Sequence, residues 1–343
     1  MEQKIPILNL FPEELEDKVG PPKYRAGQVF EWLHNKLATR FEEMTNLPVE
    51  LRQALEENFF ITSLNPLTTE KAEDGSVKWL FETRSSDAVE SVLIPTENRR
   101  TLCISTQVGC KFGCKFCASG QAGFKRNLEA DEMVAEVLSA ERLNPFERIS
   151  HIVVMGMGEP FDNAENLLRA LKILNHPSGR GIGKRRITIS TVGLPKKILW
   201  FADQNLSVEL SVSLHSAVDS VRTSIMPVNK AFPTKELFAA CWTYTEKTNR
   251  VITFEFILID GLNTDEKNAD ALVSALRGRK TKVNLIPYNP IDEFPEKRPS
   301  VETIRRFEQK LIRAGIPVTV RFSKGGSVNG ACGQLRLRHV KAQ

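Results

Sequence analysis

Three cysteines within one short stretch, Cys110-Lys-Phe-Gly-Cys114-Lys-Phe-Cys117, are the densest chemistry in the chain. A loop with Cys-x3-Cys-x2-Cys spacing holds three thiolates close together, as an iron–sulfur cluster requires. Three thiolates on a four-iron cluster leave one iron without a protein ligand, open to chelation by a substrate. Structural zinc is the competing reading, but zinc usually takes four ligands from paired Cys or His motifs, and no His lies within this stretch. Cys103 is a candidate fourth ligand, although it sits in the apolar run Leu102-Cys103-Ile104. Nothing marks the chain as secreted, so a disulfide framework is not expected.

The remaining two cysteines differ from each other. Cys332 lies in Gly330-Ala331-Cys332-Gly333-Gln334-Leu335, where small neighbours leave a thiol exposed. Cys241, in Phe238-Ala-Ala-Cys241-Trp, has the setting of a packed hydrophobe and is assigned no chemistry. Glu90 shares a period-two face with Ala88 and Val92. A carboxylate there is either a desolvated base with a raised pKa or a charge guarding a sheet edge.

The elements that must position these groups read as follows. Residues 1–60 form short helices, one starting at Pro12, one over Tyr24–Leu33 with helical spacing of apolar residues, and one from Pro48. Residues 61–96 read as linking strands, over 76–83 and 88–94. Strands then alternate with helices, the strands at 100–105, 149–156, 185–191, 207–214, 250–259 and 281–288, and the helices typified by 130–143 and 264–276. This alternation predicts an α/β fold with a parallel sheet. Six units are too few for a closed eight-stranded barrel, so a partial, open barrel is expected, with a further strand at 317–323. Residues 97–335 form that core and 336–343 a basic tail.

Polar or glycine-rich residues recur where these strands end. They are the cysteine loop, Gly156-Met-Gly158-Glu159-Pro160, Ser190-Thr-Val-Gly193, Ser213-Leu214-His215 and Pro287-Tyr-Asn289-Pro290. In a βα barrel that rim is where active sites assemble.

Composition adds bounds. The 343 residues, 41% hydrophobic, can bury one large core with a smaller appendage. No apolar run reaches the ~18 residues of a membrane span, and Met1-Glu-Gln-Lys-Ile-Pro lacks a signal-peptide apolar region. A cytoplasmic protein without membrane contact is expected. The net charge of +5 is mild, but Lys184-Arg185-Arg186, Arg277-Gly-Arg279-Lys280-Thr-Lys282 and Arg336-Leu-Arg338-His339-Val-Lys341 are the local clusters that phosphate contacts require. Ordinary solvated faces carry such clusters too.

The cysteine motif, with Phe116 before its last cysteine, resembles that of radical S-adenosylmethionine (SAM) enzymes. Gln107-Val-Gly-Cys110 through Gly123-Phe124-Lys-Arg126-Asn127-Leu128 is similar to one branch, the dual-specificity adenine carbon-2 RNA methyltransferases (RlmN), with the chloramphenicol–florfenicol resistance methyltransferases (Cfr) as relatives. The resemblance runs from near the N-terminus to Leu335. It implies a partial (β/α)6 radical-SAM barrel with an N-terminal helical domain that grips RNA. It also implies one 4Fe-4S cluster on Cys110, Cys114 and Cys117, and SAM bound by Gly158, Glu159, Ser190, Ser213, Leu214, His215 and Asn289. The implied substrates are 23S rRNA and tRNA, the implied electron donor is a protein such as flavodoxin, and a monomer is expected.

The chemistry implied by the resemblance uses two SAM molecules. Carbon-2 of adenine is electron-poor and cannot displace the methyl group of SAM. Cys332 would take a methyl group from one SAM, and a deoxyadenosyl radical from another would remove hydrogen from it. The resulting carbon radical adds to adenine. Glu90 would then take the ring proton, and Cys103 would form a disulfide with Cys332 to release the methylated base. Ser327, Asn329 and Gly330 depart from the usual acidic, acidic and alanine residues of that loop, while Val328 and Ala331 keep the pattern. Pro160 and Pro287 favour the carbon-2 enzymes over the resistance type, which methylates carbon-8. A zinc-stabilised RNA-binding protein without catalysis is the alternative from a different class.

Overall fold

The computed structural model describes residues 4–144, 148–321 and 334–342. One twisted sheet of ten strands runs through the core: β1 (Asn65–Lys71), β2 (Val77–Glu82), β3 (Ala88–Thr96), β4 (Arg99–Cys103), β5 (His151–Val154), β6 (Ile187–Thr191), β7 (Glu209–Ser213), β8 (Ile252–Leu258), β9 (Thr281–Pro287) and β10 (Val318–Val320). Their spatial order follows the chain order. From β4 to β10 all neighbours pair in parallel, giving six β/α units and a seventh strand. This is the expected partial barrel.

The segment expected to link the domains is part of the same sheet. β1, β2 and β3 pair antiparallel with one another and onto β4. The physical reason is that β4 would otherwise expose an unpaired edge.

The strands form because their residues suit two different faces. Leu210 and Val212 of β7 are buried against the outer helices, whereas Ser211 and Ser213 alternate with them toward the lumen. Ile187 and Ile189 alternate with Thr188 and Ser190 on β6 in the same way. A parallel strand packed on both sides is normally apolar throughout. The polar inner face marks this lumen as a place for a ligand.

The N-terminal helices α1 (Pro12–Val19), α2 (Tyr24–His34) and α3 (Val49–Asn58) lie where the sequence puts them. They do not pack as a separate unit, because Ile7, Leu8, Leu15, Val29 and Phe30 share one apolar core with Ile152, Val154 and Leu171 of the barrel. Between the two lies α5 (Ala130–Leu143), with twelve of its fourteen residues buried. Its carboxylates are each engaged: Asp131 with Thr62, Glu132 with Arg126, Glu136 with Ser91 and Ser105, and Glu141 with Arg180.

Residues expected to form a basic tail instead form α12 (Gln334–Ala342), which packs against β3 and the short helix α4 (Ala118–Gln121). Leu335 and Arg336 are buried in that contact. The other two basic clusters precede β6 and β9, so they stand at the N-terminal rim of the barrel. That is the end opposite the cysteine loop.

Candidate active site

The cysteine loop is held by a small hairpin, Gln107–Gly109 paired with Phe124–Asn127. Gly109 has φ 82°, and a Cβ there would stand 1.7 Å from the carbonyl oxygen of Gly123, so only glycine fits. Within the loop, Cys117 N–H donates to the Cys114 carbonyl (3.1 Å) and Lys115 N–H to the Ile225 carbonyl (2.9 Å). The three thiols open onto one cavity of about 320 Å³, formed where β5 to β10 end.

Gly158, Glu159, Ser190, Ser213 and His215 line the same cavity. Gly158 (φ 103°) lies against the side chain of Gln107, 2.6 Å from where a Cβ would sit. Gln107 is buried and joins the two loops: its Oε1 accepts from Glu159 N–H (2.9 Å), and its amide donates to Asn127 and Asp162 (2.8 Å each). The cysteine hairpin therefore fixes the position of Glu159.

Glu159 is 1% exposed. Its Oε1 accepts from Thr191 Oγ1 (2.6 Å) and Phe161 N–H (3.1 Å), and its Oε2 from Val192 N–H (2.7 Å). Burial pushes its pKa up to about 7, against the pull of these donors. Three donors on a carboxylate leave room for about one more. A cationic donor entering the cavity would fill that place.

His215 adopts φ 58°, unusual for a residue with a side chain. Four contacts hold it there. Its N–H donates to the Glu255 carbonyl (3.2 Å), its carbonyl accepts from Asn263 Nδ2 (2.8 Å), its Nδ1 accepts from Ile257 N–H (3.0 Å), and Phe116 packs edge-on at 4.7 Å. An accepting Nδ1 leaves the proton on Nε2 of a neutral ring. Burial lowers its pKa to about 3, helped by Arg222.

Leu214 is fully buried and Asn289 half-buried, and neither lines the cavity. Leu214 contributes its backbone, donating to Glu255 and accepting from Arg222. Asn289 accepts from Arg298 at 3.4 Å.

Glu90 and Cys103 form a second group beside the cavity. Val92 faces Cys103 across β3 and β4, so Glu90, Val92 and Cys103 share one face of the sheet. Glu90 stands nearer the cysteine rim, and both are buried. The backbone N–H of Arg336 in α12 donates to Glu90 Oε1 (2.7 Å). Cys332 and the loop residues Ser327 to Gly330 lie outside the described residues.

Some residues of the site escape sequence reasoning. Arg222, 0% exposed, donates to the carbonyls of Leu214 (3.1 Å), Val192 (2.7 Å) and Ser213 (3.3 Å) and to Asn229 Oδ1 (2.7 Å). It ties the ends of β6 and β7 behind Cys114, and burial lowers its pKa to about 10. Its short helix α8 (Asp219–Ile225) reads as surface in the sequence, so no signal was available. Glu255 and Arg321 also line the cavity. Thr253-Phe-Glu255-Phe-Ile257 does carry a period-two signal, which puts Glu255 on the lumen face.

Cys110, Cys114 and Cys117 fit an iron–sulfur cluster by donor chemistry. They are three thiols on one wall of a shared cavity, and the two buried ones, Cys110 and Cys114, resist ionisation on their own. Burial pushes Cys110 up to about 12 and raises Cys114 well above the ordinary thiol range, so a cationic metal core is what would stabilise their thiolates. Among the described residues, no three His, Cys, Asp or Glu side chains converge as they would around a single ion.

Comparisons with known proteins identify the family. Residues 104–273 match the radical SAM superfamily, and residues 6–61 match the ribosomal RNA large subunit methyltransferase N-terminal domain. A probable dual-specificity RNA methyltransferase RlmN of Geobacillus kaustophilus is 42% identical over 98% of this chain and 94% of its own length. One of the same description from Bacillus mycoides is 42% identical over 100% and 96%. Among solved structures, a radical SAM methyltransferase from Sphaerobacter thermophilus superposes with a TM-score of 0.92 at 45% identity, covering 96% of this chain and 98% of that one. The chain belongs to the RlmN family of radical SAM RNA methyltransferases.

Proposed function

We propose that this protein methylates carbon-2 of adenosine in 23S rRNA and of the adenosine beside the anticodon in tRNA, through a methylated Cys332. The observation that carries the reading is the shared cavity: three cysteines, Glu159, Ser190, Ser213 and His215 open onto one space. Cys110, Cys114 and Cys117 would hold the cluster, and Glu159 would accept the ammonium group of SAM. Ser190, Ser213 and His215 supply hydroxyls and a neutral imidazole for its remaining polar groups. Leu214 contributes through its backbone, and Asn289 completes the set on the strength of the resemblance. The bound cluster and SAM supply the carbon radical that an electron-poor ring position demands.

The rest falls to the chain's own groups. Cys332 as thiolate accepts a methyl group from SAM. Glu90, buried beside α12, takes the ring proton once the methyl carbon has joined the base and the adduct has given up one electron, for which the bound cluster would be the acceptor. Cys103, on the same sheet face, attacks the sulfur of Cys332 as a thiolate; the disulfide forms as the sulfur–carbon bond breaks, its electron pair passes into the base as an enamine, and protonation of the released carbon by solvent gives the methylated product. External reductant, such as flavodoxin, returns that disulfide to thiols and feeds electrons to the cluster. Lys111, Lys115 and Lys125 are exposed around the cysteine loop, with Phe124 42% exposed among them. Basic and aromatic groups interleaved in this way suit an unstacked RNA segment. The protein works as a cytoplasmic monomer on this reading.

Mass spectrometry of nucleosides from RNA methylated by the purified enzyme tests the proposal. The expected product is 2-methyladenosine, and a target adenosine deuterated only at carbon-8 should keep its label. Loss of that deuterium would identify a carbon-8 enzyme of the resistance type instead.

A further inference from the structure

Besides Glu159, Glu255 is the only carboxylate among the described residues that lines the cavity. It is 4% exposed on the lumen face of β8. Its Oε1 accepts from Asn284 Nδ2 (2.9 Å), while Oε2 has no hydrogen-bond partner among the described residues. The backbone around it is fixed, since its carbonyl accepts from both Leu214 N–H (3.1 Å) and His215 N–H (3.2 Å). A buried carboxylate oxygen left unpaired is costly, and a ligand that donates to it removes the cost. Burial raises the pKa of Glu255, and the nearby Arg321, Asn284 and Ser211 side chains oppose that rise.

The partner on the next strand suggests which donor fits. Ser213 is the register partner of Glu255 and lines the same cavity. Adjacent strands lie about 4.8 Å apart, so a hydroxyl and a carboxylate stand side by side. SAM offers few hydrogen-bond donors. Its ammonium is matched by Glu159, and its sulfonium carries no hydrogen. A purine edge places an acceptor nitrogen beside its amine, which repels a carboxylate. The vicinal ribose hydroxyls both can donate, and a carboxylate is a suitable acceptor for them. The apolar side chains of Met226, Ile257 and Ile286 remain for the faces of the base.

We propose that Glu255 determines ligand specificity in this cavity: beside Ser213, its Oε2 accepts a hydrogen bond from a ribose hydroxyl of SAM. The assignment rests on reading the cavity as a SAM site.

Equilibrium dialysis on anaerobic, cluster-loaded protein tests it, with SAM, 2′-deoxy-SAM and 3′-deoxy-SAM as probes and iron content measured for each variant. Wild type is expected to bind one deoxy analogue at least about tenfold more weakly than SAM, the scale of a hydrogen bond to a charged group. Glu255→Ala should bind SAM about tenfold more weakly and no longer distinguish that analogue. If Glu255→Ala fails to fold or load iron, Glu255→Gln is decisive, because its neutral acceptor should cut the discrimination severalfold. A wild type that binds SAM while the loaded variant keeps the full discrimination overturns the assignment alone. A wild type that binds no SAM overturns the reading of the cavity and this assignment with it.

Discussion

Shifting pH across neutrality should tune SAM binding through Glu159. Its pKa of about 7 leaves roughly one carboxyl in eleven ionised at pH 6 and about ten in eleven at pH 8. Only the ionised form attracts an ammonium group strongly. Affinity for SAM should therefore rise about tenfold from pH 6 to pH 8. In Glu159→Gln the charge is gone, and the amide that replaces Oε2 confronts the Val192 N–H that Oε2 now accepts. The variant should bind weakly and with no such rise. The tenfold figure is for the ammonium form of SAM, so the fraction of ligand in that form at each pH enters the comparison of the two profiles. Equilibrium dialysis with labelled SAM measures both profiles, and parallel ones would refute the role assigned to Glu159.

The same group must act on stability with the opposite sign. Its folded pKa lies above the ordinary 4.5, so the fold prefers the protonated acid. Stability from this group is full below about pH 4.5 and is lost as pH rises through about 7. Between pH 6 and pH 8 the ligand-free protein should lose about 1.3 kcal/mol relative to Glu159→Gln. Urea unfolding at the two pH values checks this. One residue that makes the empty protein weaker and the bound complex tighter at high pH is hard to mimic by a general pH effect.

Each of Cys110→Ala, Cys114→Ala and Cys117→Ala should lose the cluster and RNA methylation together, read as iron content and turnover; a variant keeping both would contradict the ligand assignment. Arg222→Met removes a donor from the carbonyls of Val192, Ser213 and Leu214, the last of which keeps Ser216 N–H, and from Asn229 Oδ1, and should cost about 3 kcal/mol in urea unfolding, so a loss under ~1 kcal/mol would show that Arg222 does not brace the rim. Cys103→Ala should accumulate a covalent protein–RNA species on a denaturing gel and Cys332→Ala should not; normal turnover without trapped RNA would assign resolution to another group. Reversal of Lys184, Arg185 and Arg186 to Glu should change the Michaelis constant for RNA less than about twofold, whereas Lys115→Glu with Lys125→Glu should raise it severalfold through lost phosphate contacts, and the reverse order would place RNA on the N-terminal rim.

Much of this was legible because it is local. Strand boundaries followed from alternation, as in Ile187-Thr-Ile-Ser-Thr, and α5 appeared at its observed residues 130–143. The cysteine spacing needs only a short loop to bring three thiols together. What failed to show depends on distant partners. No pattern within Ala88–Thr96 says that it pairs with β4, because the vacant edge belongs to another segment. Arg336 reads as part of a charged tail, yet it is buried next to Leu335, which packs on Leu80 and Ala88. The position of the basic clusters was hidden for a different reason. Charge density says nothing about which end of a barrel it occupies, although both clusters precede their strands and so belong to the rim away from the cysteines.

The two chemical centres are joined by the run from Cys103 to Cys110, and this connection explains why neither can be placed independently. Ser105 Oγ donates to the Glu90 carbonyl (2.7 Å) and accepts from Met157 N–H (3.0 Å), so it links the base-bearing strand to the loop before Glu159. Two residues on, Gln107 holds Glu159 itself. From the outer face, Glu136 accepts from Ser105 N–H (3.0 Å) and Ser91 Oγ (2.5 Å), bracing the segments next to Glu90 and Cys103. Burial raises the pKa of Glu136 to about 8, so it is mostly neutral at pH 7 and adds little charge behind the site. On the proposed reading, cluster ligation, ammonium binding and proton removal would all depend on side chains anchored to one short stretch of backbone. A radical formed in the cavity and a base acting later on the same nucleotide, as proposed, would need a fixed separation, and a hydrogen-bonded run between them is a rigid means of setting it.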